Sequence, residues 1–103
     1  MEKFVTYLDE QAARLREESR TLAADDRRDE GDLTKIRANV YGICKSVLQV
    51  QDSGKAKAIL TGLHDTWSKN LEMARGHDDV KQAVIEEIKL ETLAEIQARL
   101  EGV

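Results

Sequence analysis

The densest group of side chains that could do chemistry is an acidic cluster within residues 25–32, which read DDRRDEGD. Carboxylates three or four residues apart on a helix can share a Mg²⁺ or Mn²⁺ ion, and such an ion could activate water in a hydrolase. That site also needs carboxylates on a facing helix, and Glu17 and Glu18 are not followed by a third glutamate at the required spacing. Arg27 and Arg28 neutralise the cluster from within. We therefore expect a solvated helix start at its acidic residues, namely Asp25, Asp26, Asp29, Glu30 and Asp32.

The histidines and the cysteine lack the spacing that catalysis or metal binding requires. A di-iron bundle needs Glu-x-x-His on two helices, and neither His64 nor His77 has a glutamate three residues before it. Cys44 follows Ile43 in an apolar stripe and has no CxxC partner, which predicts a buried structural thiol. The six glycines are scattered and form no phosphate-binding loop. The sequence therefore predicts no catalytic residue, no cofactor-binding residue, no metal ligand and no cofactor.

Composition and charge narrow the class of protein. The chain has 103 residues and no proline, and residues that lose little freedom in a helix dominate it. A net charge of −4, with acids and bases interleaved, argues against nucleic acid or a membrane surface as a partner. No apolar run approaches the roughly 20 residues that a membrane-spanning helix needs, and the N-terminus does not resemble a secretory signal. With a single cysteine, these features predict a cytoplasmic protein.

Apolar residues recur at alternating spacings of three and four, which predicts amphipathic helices over residues 2–23, 26–51, 54–75 and 79–101. The first stripe contains Val5, Leu8, Ala12, Leu15, Ser19 and Leu22, and the second contains Leu33, Ile36, Val40, Ile43, Val47 and Val50. Short connections then predict an all-α, antiparallel up-down-up-down four-helix bundle in a single domain, residues 1–103. The alternative is a pair of helical hairpins that completes its core only in a dimer.

The first connection is ambiguous because these two stripes lie in one heptad phase. A continuous helix would place Asp26 and Asp29 at core positions, and burying an unpaired carboxylate costs several kcal/mol. The chain must therefore reverse direction. We favour a turn at residues 24–26, with Asp25 or Asp26 capping helix 2, because it gives four helices of similar length. The alternative is a turn in which Gly31 is the left-handed C-cap and Asp32 caps the next helix.

Glycine and polar residues indicate the other helix ends. Ser53 is the expected N-cap of helix 3, Gly76 its expected C-cap, and Asp79 with Gln82 resembles a capping box for helix 4. Gly42 and Gly62 lie inside predicted helices, where glycine costs about 1 kcal/mol against alanine. They are therefore expected to mark positions where two helices approach closely.

Helix 4 has a broader apolar face than the others, because its apolar set shifts by one residue after Ile88. A face this wide can contact two neighbouring helices or a second copy of the chain. The candidate interface residues are Leu90, Leu93, Ile96, Leu100 and Trp67.

These features favour a small non-enzymatic helical protein, a bacterial-type cytoplasmic interaction or adaptor module that forms a homo-oligomer, most simply a dimer. The partner is a second copy, another protein, or both. A different class, a Mg²⁺- or Mn²⁺-dependent hydrolase that uses carboxylates near residues 17–32, is the alternative. A dimer in light scattering after size exclusion, weakened by Leu93→Glu or Ile96→Glu, would favour the interaction module, whereas Mg²⁺ or Mn²⁺ binding in a calorimetric titration would favour the hydrolase.

Overall fold

A computed structural model describes all 103 residues. The chain forms four α-helices and no strand. The helices are α1 (Glu2–Ala24), α2 (Arg28–Val50), α3 (Ser53–Gly76) and α4 (Val80–Glu101). The predicted all-α class is confirmed, and every predicted helix end lies within two residues of the observed one. This agreement follows from the absence of proline and from apolar stripes that run through all four segments.

The first turn comprises Asp25–Arg27, so the earlier of the two predicted turns is confirmed to within one residue. The Arg27 N–H donates to the Leu22 carbonyl (2.9 Å) and the Asp26 N–H to that of Ala23 (3.2 Å), which is a Schellman motif. Asp26 takes the left-handed position with φ 65°. The expectation that Asp25 or Asp26 would cap α2 is wrong, because Asp26 completes the end of α1 and Arg27 occupies the N-cap position without a side-chain cap.

Helices α1 and α2 pack closely at Gly31, which lies inside α2 and is buried. A Cβ atom at this position would lie 2.9 Å from the Ser19 carbonyl oxygen, closer than a real contact allows. The Ser19 hydroxyl donates to the Gly31 carbonyl at 2.7 Å, and at the other end of the pair Lys45 Nζ lies 2.8 Å from Asp9 Oδ1. These two contacts fix an antiparallel hairpin. Gly62, predicted to mark a close approach, has no atom of another element within 4 Å of its Cβ position.

Aspartates also occupy the capping positions at the other two connections. The N-cap of α3 is Asp52 and not Ser53, because the Asp52 carboxylate accepts the Lys55 N–H at 2.9 Å. Gly76 is the last residue of α3 and not its cap; Asp78, with φ 55°, takes the left-handed position after it. Asp79 caps α4 as predicted, accepting the Gln82 N–H at 3.1 Å.

The two hairpins join along α2 and α4. Helix α1 packs against α2, α3 packs against α4, and contacts between α2 and α4 close a core of fifteen buried residues. Residues near the start of α2 lie beside residues near the start of α4, and Tyr41 of α2 lies beside Glu95 and Arg99 of α4, so these two helices run in the same direction. The result is a flattened bundle of 38 × 34 × 20 Å with α2 and α4 at its centre.

Candidate functional site

The candidate interface residues predicted on helix 4 and at Trp67 lie inside the folded chain. Leu93, Ile96, Leu100 and Trp67 are all at most 7% exposed, and Leu90 is partly buried against them. Helix α4 contacts α2 on one side and α3 on the other, so its broad apolar face is covered by two helices of the same chain. These five residues therefore offer no free apolar face.

An uncovered apolar surface lies elsewhere, between the N-terminal parts of α2 and α4. Leu33 and Ile36 of α2 face Val84 and Ile85 of α4 across an open groove of about 330 Å³. Val84 is 37% exposed and the other three are partly exposed. We call this surface the α2/α4 groove. Sequence reasoning assigned Leu33 and Ile36 to a core stripe, and the signal it missed was Val84, an apolar residue off the stripe of its helix.

The rims of the α2/α4 groove carry opposite charges. Asp29 and Asp32 line the α2 side, and Lys81 lines the α4 side. All three side chains are exposed, and none of them forms an ion pair within the chain. Asp29 also lies in the first turn of α2, where the helix dipole favours a negative charge.

The acidic cluster of residues 25–32 is exposed at the first turn and the start of α2. Glu30 pairs with Arg27 within the cluster. No three His, Cys, Asp or Glu side chains in the molecule come together as a metal site would require. His77 is exposed in the turn after α3, and His64 is half-buried on α3. The structure therefore brings none of these candidate residues together into a reactive centre.

Cys44 is fully buried in the core, on α2. Burial raises the pKa of its thiol from 9.0 to about 12, because the apolar surroundings disfavour the thiolate. The thiolate is the nucleophilic form, so at neutral pH this group is protonated and unreactive. Burial likewise raises the pKa of Tyr41 to about 12, with smaller contributions from Tyr7 and Glu95.

A buried ion pair on α4 was not predicted from the sequence. The Glu86 side chain is only 3% exposed. Lys89 Nζ donates to Glu86 Oε1 at 3.1 Å. It also lies 2.9 Å from Glu86 Oε2, but that oxygen accepts no hydrogen bond. Gln82 Nε2 donates to Oε1 at 3.2 Å, and the Lys89 ammonium lies 4.7 Å above the Trp67 ring. With its charge compensated on its own helix, Glu86 is a structural carboxylate. Its spacing of seven residues before Leu93 places it in the core stripe, and that spacing could have revealed it.

The geometry defines a compact all-helical fold of four helices, and the α2/α4 groove on its surface combines an apolar floor with charged rims. No protein-family model, curated protein or solved structure matches the chain. None of the four helices is both long and apolar enough to cross a lipid bilayer.

Proposed function

We propose that this chain is a non-enzymatic helical interaction module that self-associates, and that the α2/α4 groove is its docking surface. The observation that carries this proposal is the pairing of Leu33 and Ile36 with Val84 and Ile85 on the surface, while a separate set of residues fills the core. Exposed apolar side chains that converge from two helices gain free energy when a partner covers them. A second copy is the partner that we propose, because the groove has acidic residues on one rim and Lys81 on the other, and a second copy carries the complementary charges.

The same proposal includes a cytoplasmic location in a bacterial-type cell. The single cysteine, Cys44, is a buried thiol with a raised pKa, which suits a compartment where thiols stay reduced. The net charge of −4 disfavours nucleic acid and anionic membranes as partners. Protein surfaces are therefore the class of partner that we propose.

The test is the oligomeric state of matched valine substitutions. Val84→Glu puts a charge into the α2/α4 groove, whereas Val50→Glu puts the same charge on a 76% exposed valine at the far end of α2. We expect light scattering after size exclusion to show a dimer for the wild type and for V50E, and a monomer for V84E. Helical circular dichroism should be the same in all three, because neither valine is in the core. A wild-type chain that stays monomeric at millimolar concentration, or a V84E chain that stays dimeric, would overturn the proposal.

A further inference from the structure

The charges on the two rims of the α2/α4 groove are complementary to each other and unused within the chain. Asp29 and Asp32 contribute two carboxylates on the α2 side, and Lys81 contributes an ammonium on the α4 side. None of the three has an ion-pair partner or a side-chain hydrogen bond in the folded chain. A partner that covers the apolar floor would therefore meet acidic charge along one edge and basic charge along the other.

A second copy of the chain has the matching pattern when it is turned about one particular axis. Closed homodimers have two-fold symmetry, and a face-to-face contact requires the axis to lie in the plane of the interface. Helices α2 and α4 run in the same direction, and their first turns lie at the same level along the groove. An axis parallel to them places α2 of one copy over α4 of the other, with the first turns still level. Asp29 and Asp32 then lie opposite Lys81 of the second copy, twice per dimer.

An in-plane axis perpendicular to the helices gives a poorer match. It stacks α2 on α2 and α4 on α4, which leaves Asp29 and Asp32 on the opposite side of the groove from Lys81. Rim charges contribute to register and partner choice more than to raw affinity, so they select between two arrangements that bury the same apolar residues.

We infer that the chain forms a homodimer through the α2/α4 groove about a two-fold axis parallel to α2 and α4, with Asp29 and Asp32 of each copy opposite Lys81 of the other. This inference rests on the proposed self-association and adds the orientation of the partner. Because both charged contacts lie at the rim, where dissolved ions screen exposed charges, added sodium chloride should weaken the dimer.

A charge-swap experiment tests the orientation. Lys81→Glu gives a chain that is acidic on both rims, and the double variant D29K/D32K gives a chain that is basic on both rims. Each variant alone should have a dimer dissociation constant raised by about tenfold or more, because both contacts of its homodimer become repulsive. An equimolar mixture should form a heterodimer, since both contacts are then attractive, and the triple variant D29K/D32K/K81E should regain a homodimer. Lys69→Glu, at an exposed lysine of α3 outside the groove, is the control and should remain dimeric.

The possible outcomes distinguish the inferred orientation of the dimer from the proposed self-association on which it rests. If the double variant D29K/D32K loses helix content on circular dichroism, D32K alone takes its place in the test. Asp32 lies past the first turn of α2, so this single variant leaves the charges of that turn unchanged. A wild-type chain that never dimerises overturns the self-association itself. If the wild type dimerises and V84E abolishes the dimer, but K81E and D29K/D32K each dimerise as tightly as the wild type or their mixture does not associate, the orientation is wrong and the docking surface stands. Unweakened individual variants would favour the perpendicular axis, because like rims already face each other about that axis in the wild type. Association in the mixture with weakening of each variant alone supports the orientation.

Discussion

Burial of the Cys44 thiol links this residue to the pH dependence of the free energy of unfolding. Its pKa is about 12 in the folded chain, against 9.0 for a solvent-exposed thiol such as that of the unfolded chain. Below pH 9 the thiol is protonated in both states and stability is unaffected. Between the two pKa values only the unfolded chain loses the proton, so the free energy of unfolding falls by about 1.4 kcal/mol per pH unit as pH rises. Tyr41, raised from 10.0 to about 12, adds a second loss that begins near pH 10.

Urea denaturation at several pH values between about 8 and 11 measures this effect, because that range spans the pKa values of both groups in the unfolded chain. Cys44→Ala should flatten the decline between pH 9 and 10, because the alanine has no proton to lose. Tyr41→Phe should flatten it only above pH 10. If the slope of Cys44→Ala equalled that of the wild type throughout, the thiol would not be shielded from solvent in the folded chain.

At the scale of the helices, two glycines that both lie inside helices have opposite roles. Gly31→Ala would place a methyl group 2.9 Å from a backbone oxygen of α1, so the α1–α2 hairpin must open slightly. We expect a loss of about 1–3 kcal/mol in the free energy of unfolding, as for other overpacked contacts. Gly62→Ala meets no atom within 4 Å and should add about 1 kcal/mol, because alanine is the better helix former. Urea unfolding of both variants measures this, and equal effects of the two substitutions would contradict the close approach at Gly31.

The helix positions could be predicted because the stripes and the lack of proline specify them locally, and the predicted stripe of α1 is buried at Leu8, Ala12 and Leu15. The buried face of α2 could not be predicted in the same way. Ile43 belongs to the predicted core stripe of α2 and is 40% exposed, whereas Tyr41, Cys44 and Leu48 are buried. Helix α2 packs against both α1 and α4, which rotates its buried surface away from the heptad seam. An apolar stripe shows which residues can be buried, but it does not show which neighbouring helix covers them. The α2/α4 groove was missed for the same reason, since Leu33 and Ile36 have the spacing of core residues.

Helix ends were predicted less well than helix centres. Asp26 and Asp78 take the left-handed positions that glycine usually occupies, and each follows its helix in a Schellman motif. Aspartate tolerates this conformation better than most residues, but it is also a common N-cap, so its role depends on the backbone it adopts. The sequence alone does not distinguish the two uses.

At the scale of the whole molecule, the central pair of helices should make the two hairpins unfold together. Leu93 of α4 is fully buried in the single core cluster, to which all four helices contribute. Leu93→Ala should lower the free energy of unfolding by about 2–5 kcal/mol, since the cavity cannot collapse between packed helices.

Each hairpin contains its own probe: Cys44 lies in α2 and Trp67 in α3. Thiol labelling reports the first hairpin during urea unfolding, and tryptophan fluorescence reports the second. In both the wild type and L93A we expect the two transitions to coincide, with the L93A midpoint at lower urea. Val103→Ala, at an exposed terminal valine, is the control and should leave the midpoint unchanged. A fluorescence transition that occurs without thiol exposure would mean that the α1–α2 hairpin folds on its own and that α2/α4 packing does not couple the two halves.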